Sequence, residues 1–420
     1  MQSSREVVIS GVGMVSPSGI GRDAFWQNLT QGVSAVAPPQ VFELGTIPIR
    51  LAAEVADFDP RKLIANRKSI KLMCREVAMG VAAAQQAVAD AQLDPAQVDA
   101  DRFGVIYGSE MLYGPFEDME EVIRASATDD EVDLKKFGQN IVSKMFPLWM
   151  LKYLPNMAAC HVGIAHEAYG PNNTIVQGDA SAMIALIEAI SVIQRGWADV
   201  MIAGGCGCRL QPSHLIYLDH SHCSQRDDDP AAASRPFDAD RDGYVRGEGA
   251  AAIVLETREH AESRGATILG SVVGWGQGFE PRQDAQPYPG DAIRRTMQQA
   301  ITMAGGDLRL DHVNANGLST RVDDIVEAQA IRDVCGDTPV FAAKSYFGNL
   351  GAGSGMVELI ASLLGLHCGS LPPTLNYETP DPHCPVDVIH GDAHAISGHS
   401  FLKLSTSSTG QATAVLVRQA

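Results

Sequence analysis

Ser234-Arg235-Pro236-Phe237-Asp238-Ala239-Asp240-Arg241-Asp242-Gly243-Tyr244-Val245-Arg246-Gly247-Glu248-Gly249-Ala250 is the stretch on which the fold turns. Asp238, Asp240, Asp242 and Gly243 imitate the start of a calcium-binding loop. The twelfth position is Gly249, where a bidentate glutamate is required, so the match to such a loop fails. The apolar run Ala251–Leu255 follows and reads as a buried strand.

Outward from this stretch, similar short runs recur. Val7-Val8-Ile9 enters the glycine turn Ser10–Gly13, and Arg102–Tyr107, Thr174–Val176 and Val200–Ala203 follow. Alanine-rich segments at Cys74–Ala91 and Ser181–Arg195 read as helices between them. A second series has strands at Ile268–Val273, Val340–Ala343 and Thr413–Val417, with helices near Ala292–Ala304, Asp324–Val334 and Gly355–Leu366. Alternation of this kind predicts an α/β layered fold with a largely buried sheet. Two similar halves are expected, residues 1–260 and 261–420. They meet at the short polar segment 257–266, which reads as a connection within one body. Phe146–Leu154 is apolar and could be a partner surface, a tunnel wall or plain core.

The chain has 420 residues and a net charge of -18, from 32 basic and 50 acidic side chains. That balance disfavours nucleic acid and anionic membranes as partners. No signal peptide or membrane span is expected, and the cytoplasm is the default location. Eight scattered cysteines read as reduced, buried thiols. Cys206-Gly207-Cys208 has no second ligand pair spaced for zinc, so no metal is expected. His161 and His166 lie five apart on an expected helix, off one face, and read as core or interface histidines.

Several motifs, in order and spacing, resemble the β-ketoacyl synthase family of thiolase-like proteins, in particular the synthase II-like branch. They are Gly11–Gly19, Ala203-Gly204-Gly205, Ser234–Ala250, Val313-Asn314-Ala315 with Ser319-Thr320, Asp324 and Glu327, and Lys344-Ser345 with Gly348, Gly351-Ala352 and Gly355. The resemblance implies a five-layered α-β-α-β-α core. It also implies a cysteine at a strand-to-helix elbow that attacks an acyl thioester on acyl carrier protein. Two histidines would assist malonyl decarboxylation, and backbone N–H groups would form an oxyanion hole. No cofactor is implied.

At the matching positions this sequence departs from the family. Thr174–Ala182 matches the elbow, with Asp179 in the cysteine slot. Asn316 and Asn349 take the two histidine slots. Ser407-Ser408-Thr409-Gly410 stands where the family has its gating loop. Asparagine cannot shuttle a proton near neutral pH, and an aspartate is a poor nucleophile toward a thioester. Capping of the following helix accounts for Asp179 without catalysis. Lys344 and Glu327 are kept, as polar support read as a buried ion pair between two loops. Arg61, Lys62, Arg67, Lys68 and Lys71, with Arg75, read either as a solvated helix face or, by resemblance, as the docking surface for acyl carrier protein.

Three functions follow. The first is a non-condensing subunit similar to chain length factors, dimeric and paired with an active synthase whose acyl tunnel it shapes. The second is an enzyme with altered chemistry, malonyl decarboxylation or acyl transfer using Asp179. The third is a non-catalytic acyl-binding scaffold.

Overall fold

The computed structural model describes residues 5–40, 42, 45–128, 131–217, 220–282, 287–306 and 309–420. Ten strands form the main path of a twelve-stranded sheet: β1 Val7–Ser16, β2 Phe103–Gly108, β3 Asn172–Ile175, β4 Val200–Cys208, β5 Arg246–Thr257, β6 Gly270–Phe279, β7 His312–Asn314, β8 Val340–Phe341, β9 Ser400–Thr406 and β10 Gln411–Arg418. The first five run in the order β3-β2-β4-β5-β1, the last five in the order β8-β7-β9-β10-β6. Renumbered from its own start, each half therefore has the order 3-2-4-5-1.

The pairing senses also repeat. β2 is parallel to β3 and β4, as β7 is to β8 and β9. β5 is antiparallel to β4 and β1, as β10 is to β9 and β6. The halves join where β1 meets β6 at Val7↔Val272, Val8↔Ser271 and Ile9↔Gly270. The fold is α/β, two similar halves, as the alternation predicts.

Six helices complete the layers: α1 Arg75–Asp90, α2 Met157–His166, α3 Ser181–Gln194, α4 Asp291–Met303, α5 Asp323–Cys335 and α6 Ser354–Cys368. α1 packs on β1 and β5, and α4 on β6 and β10, so each covers an outer face. α3 and α6 touch each other and strands of both halves, which makes them the middle layer. Residues Ser354–Leu366 of α6 are all buried. A helix apolar around its whole circumference belongs in an interior. The stretch Gly351–Cys368 is long and apolar enough to cross a membrane, but lies within the protein. α1 approaches β1 closely because alanines meet glycines: a Cβ on Gly13 would lie 2.2 Å from the Ala83 carbonyl oxygen.

Sequence and structure differ in places. Most strands extend past their apolar runs because glycines and small residues inside them still pair. β9 and β7 escape the pattern altogether. Phe146, Leu148 and Met150 are exposed, around a short 3-10 turn at Trp149–Tyr153, so Phe146–Leu154 is surface and not core. Segment 257–266 is the short helix Arg258–Ser263, fastened by Arg258 to Glu6 at 2.8 Å and by Arg264 to Glu256 at 2.6 Å. His161 and His166 are buried in α2, and desolvation lowers both, His166 to about 4. Among the described residues no cluster of histidine, cysteine and carboxylate side chains could hold a metal.

Candidate active site

A cavity of about 600 Å³ opens at the carboxyl ends of the parallel strands, where open α/β sheets place their ligands. Asp179, Arg209 and Asn349 line it together with Thr406, Ser407 and Ser408. A hollow of about 640 Å³ between β6 and α4 holds no carboxylate, histidine or thiol.

Three loops converge at the inner end. Asp179 sits in the turn Gly178–Ala180 between β3 and α3, with Gly178 at φ +58°. Arg209 is the first residue past β4, and Glu110 lies two residues past β2. An Arg209 Nη2 is 2.6 Å from Asp179 Oδ1 and donates to Glu110 Oε1 at 2.8 Å. The Arg209 side chain is 19% exposed, Asp179 6% and Glu110 11%. Burial alone would lower the Arg209 guanidinium, yet Asp179 and Glu110 raise it above its ordinary value. Burial pushes Glu110 up against the pull of Arg209. The other Asp179 oxygen accepts from Asn349 Nδ2 at 3.2 Å. Asn349 Oδ1 in turn accepts from Gly351 N and Ser354 Oγ, at 3.0 and 3.1 Å.

This arrangement corrects the capping reading of Asp179. No side chain caps α3; the carboxylate turns instead to Arg209 and Asn349. Asp179 Oδ1 thus lies in ion-pair contact with Arg209, without a hydrogen bond of its own, while Oδ2 accepts from Asn349, so the carboxylate is held by two neighbours. The structure brings Asp179 and Asn349 together. Asn316 is held elsewhere: its Oδ1 and carbonyl oxygen accept from Lys344 Nζ at 3.0 and 2.9 Å.

The support below also differs from expectation. Lys344 pairs with Glu358 of α6, not with Glu327, at 2.6 Å, and Lys403 takes the other oxygen of Glu358 at 2.6 Å. Glu327 instead accepts the backbone N–H groups of Asn316 and Gly317 at 2.6 and 2.8 Å. It holds the Asn316 turn, with Lys403 and Lys344 acting on it through their charge alone. Asp324 does the same for Phe237 and Ser319, at 2.9 and 3.1 Å.

Ser407-Ser408-Thr409-Gly410 is the tight turn between β9 and β10. Ser407 Oγ donates to Gln411 Oε1 at 2.6 Å, and Gly410 takes φ +101° against the Glu280 carbonyl. Arg61, Lys62, Arg67, Lys68 and Lys71 are all exposed, but spread over the short helical segments Pro60–Leu63 and Ile70–Leu72 and the turn between them that carries Arg67 and Lys68, not on one helix face. Arg75 is no part of that patch. It grips buried Glu248 through two nitrogens at 2.7 Å.

Sequence reasoning misses Arg209, Glu110, Glu358 and Lys403. The available signal is positional: Glu110 and Arg209 are lone charges just past small-residue strand ends, where chemistry collects in this class of fold.

The family model of the β-ketoacyl synthase N-terminal domain matches residues 4–261, and that of the C-terminal domain residues 269–378. The 3-oxoacyl-[acyl-carrier-protein] synthase 2 of Synechocystis is 33% identical over 93% of this chain and 92% of its own. That of Coxiella burnetii is 34% identical, with the same coverage. Among solved structures, a β-ketoacyl synthase from Burkholderia phymatum superposes with a TM-score of 0.87 at 30% identity, over 99% of this chain and all of that one. A type II polyketide acyl-carrier protein in complex with its ketosynthase gives 0.83 at 28%, and the ishigamide ketosynthase/chain length factor 0.86 at 25%, both over the whole of each chain. With both family domains present in order on a sheet of two matching halves, the chain belongs to the β-ketoacyl synthase family.

Proposed function

We propose that this chain is a non-condensing subunit of fatty acid or polyketide biosynthesis that pairs with an active synthase and shapes the acyl tunnel of that partner. The observation that carries the reading is the 2.6 Å pairing of Asp179 with Arg209. By resemblance Asp179 stands in the nucleophile's position, and this contact supports reading it as a charge-paired carboxylate. Asn349 is tied to the same carboxylate and Asn316 to Lys344, so neither is poised to assist decarboxylation.

The free outer edge of β3 supports pairing with a second chain. It ends the strand order, and its Asn172 and Asn173 are exposed, with exposed Ile164, Tyr169 and Val176 nearby in sequence. An open edge of this kind is a template for another strand. Neighbours that are a ketosynthase with its carrier protein and a ketosynthase/chain length factor support the choice of partners.

The test is co-expression with a synthase homologue that keeps its cysteine, followed by native mass spectrometry. A one-to-one heterodimer is expected. A stable homodimer that ignores such synthases would count against the reading. Purified alone with malonyl-carrier protein, the chain is expected to release no carbon dioxide above background. Release that disappears in Asp179→Ala would establish altered chemistry at this site instead.

A further inference from the structure

We infer that Glu110, Arg209 and Asp179 form a plug that closes the inner end of the cavity, so that this chain's own site admits a short or polar thioester arm and refuses a long aliphatic acyl chain. The inference deepens the non-condensing reading of the same site and rests on it for the class of ligand.

The geometry is that of a filled passage. Arg209 spans from Asp179 at the cavity wall to Glu110 behind it, with contacts of 2.6 and 2.8 Å. Glu110 lies where two glycines leave room. A Cβ on Gly351 would fall 2.4 Å from its carboxylate, and one on Gly207 would fall 3.1 Å from the same oxygen. The space that bare backbone opens between β4 and the start of α6 is therefore taken by a carboxylate. A chain entering past Asp179 would have to displace a charged group with partners on both sides.

Charged groups also interrupt the cavity's remaining walls. Its lining includes Arg246, Arg282 and Arg321, with Leu318 and Val322 as the aliphatic members. Arg282 lies over the ring of Tyr288, 3.9 Å from its centre, and pairs with Asp323 at 3.1 Å. Acyl tunnels bind by burying methylenes, each worth about fourfold in affinity. Walls broken by guanidinium and carboxylate groups reduce that gain.

The test measures binding of acetyl-, octanoyl- and dodecanoyl-pantetheine to the purified full chain, scoring only binding that excess acetyl-pantetheine displaces. The octanoyl probe is expected to bind no tighter than acetyl, and the dodecanoyl probe more weakly than either. A displaceable dodecanoyl affinity more than tenfold above acetyl overturns the plug. The triple variant Glu110→Leu/Asp179→Asn/Arg209→Leu removes the three charges together, which avoids stranding any one of them. It is expected to gain at least tenfold for the dodecanoyl probe. A cooperatively folded variant with no gain overturns the plug as well, and the wild-type series decides alone if the variant does not fold. Failure of the plug is separable from failure of the non-condensing reading. A wild-type chain that binds dodecanoyl-pantetheine tightly yet makes no ketoacyl product refutes only the former, whereas ketoacyl product refutes the latter.

Discussion

Lys403 and Glu358 meet at 2.6 Å with both side chains wholly removed from solvent. Lys344 approaches the same carboxylate from the other side. One anion thus stands between two buried ammonium groups. Burial lowers Lys403 to about 8, with Glu358 pulling upward and Lys344 pushing down. The variant Glu358→Gln removes the carboxylate that pairs with both cations and should cost about 3–5 kcal/mol at neutral pH, read from urea unfolding. The sign of the pH dependence is set by the lowered lysine. Between about 8 and 10.5 the unfolded chain holds a proton that folded Lys403 has lost, so this residue makes stability rise with pH across that window. Lys403→Met should remove the rise; an unchanged slope would assign it to other groups.

Removing Arg209 alone should be severe. Arg209→Met strands Glu110 and Asp179 in a low-dielectric site, at an expected loss of about 3–5 kcal/mol. Glu110 is already raised by burial, so it takes up a proton readily once its cation is gone. The loss should therefore shrink when unfolding is measured at pH 5 instead of pH 8. A loss independent of pH would mean that the guanidinium acts by packing alone.

Glu76 offers the opposite experiment. It lies inside α1, 2% exposed, with Oε2 lacking a hydrogen-bond partner. Burial raises it from 4.5 to about 7. Folded Glu76 keeps its proton through a range where the unfolded chain has lost it, so stability falls as pH rises from about 4.5 to 7. Glu76→Gln should stabilise the protein by about 2–3 kcal/mol at pH 8 and by little at pH 4.5. Destabilisation at pH 8 would show that the charge is used.

The exposed cations at Arg61, Lys62 and Lys68 bear on carrier-protein docking. The triple reversal Arg61→Glu/Lys62→Glu/Lys68→Glu should weaken binding of an acidic acyl carrier protein at least tenfold at low salt, with an unchanged melting temperature. The difference should fade toward 1 M salt, where the screening length is about 3 Å. Equal binding by surface plasmon resonance would remove this patch from the interface.

What the sequence reveals and what it hides divide along physical lines. The long apolar, small-residue stretches Ser181–Gln194 and Ser354–Cys368, and the β-branched runs at Val7 and Val200, are local signals, and the halves emerge from them. Short parallel strands such as β7 carry too few residues to show a period. Partner choice is harder still. Asp179 before a helix reads locally as a cap, but its partner Arg209 arrives from another strand. Lys344 has acidic candidates on two helices, and only the packed fold selects Glu358 over Glu327. Arg75 joins a run of surface cations in sequence. It turns inward because buried Glu248 needs a counter-charge.

The matching strand orders of the two halves carry a last consequence. Glu110, Asp179 and Arg209 belong to the first half, while Asn316, Lys344, Asn349 and Ser407 belong to the second. Neither duplicate holds all of these residues, so the cluster forms only where both halves have folded and met. Expressed as fragments split between Arg258 and Gly265, the chain would assemble the Asp179–Asn349 contact only by reuniting both pieces. A spectroscopic label at either residue would then report complementation and not the folding of one fragment.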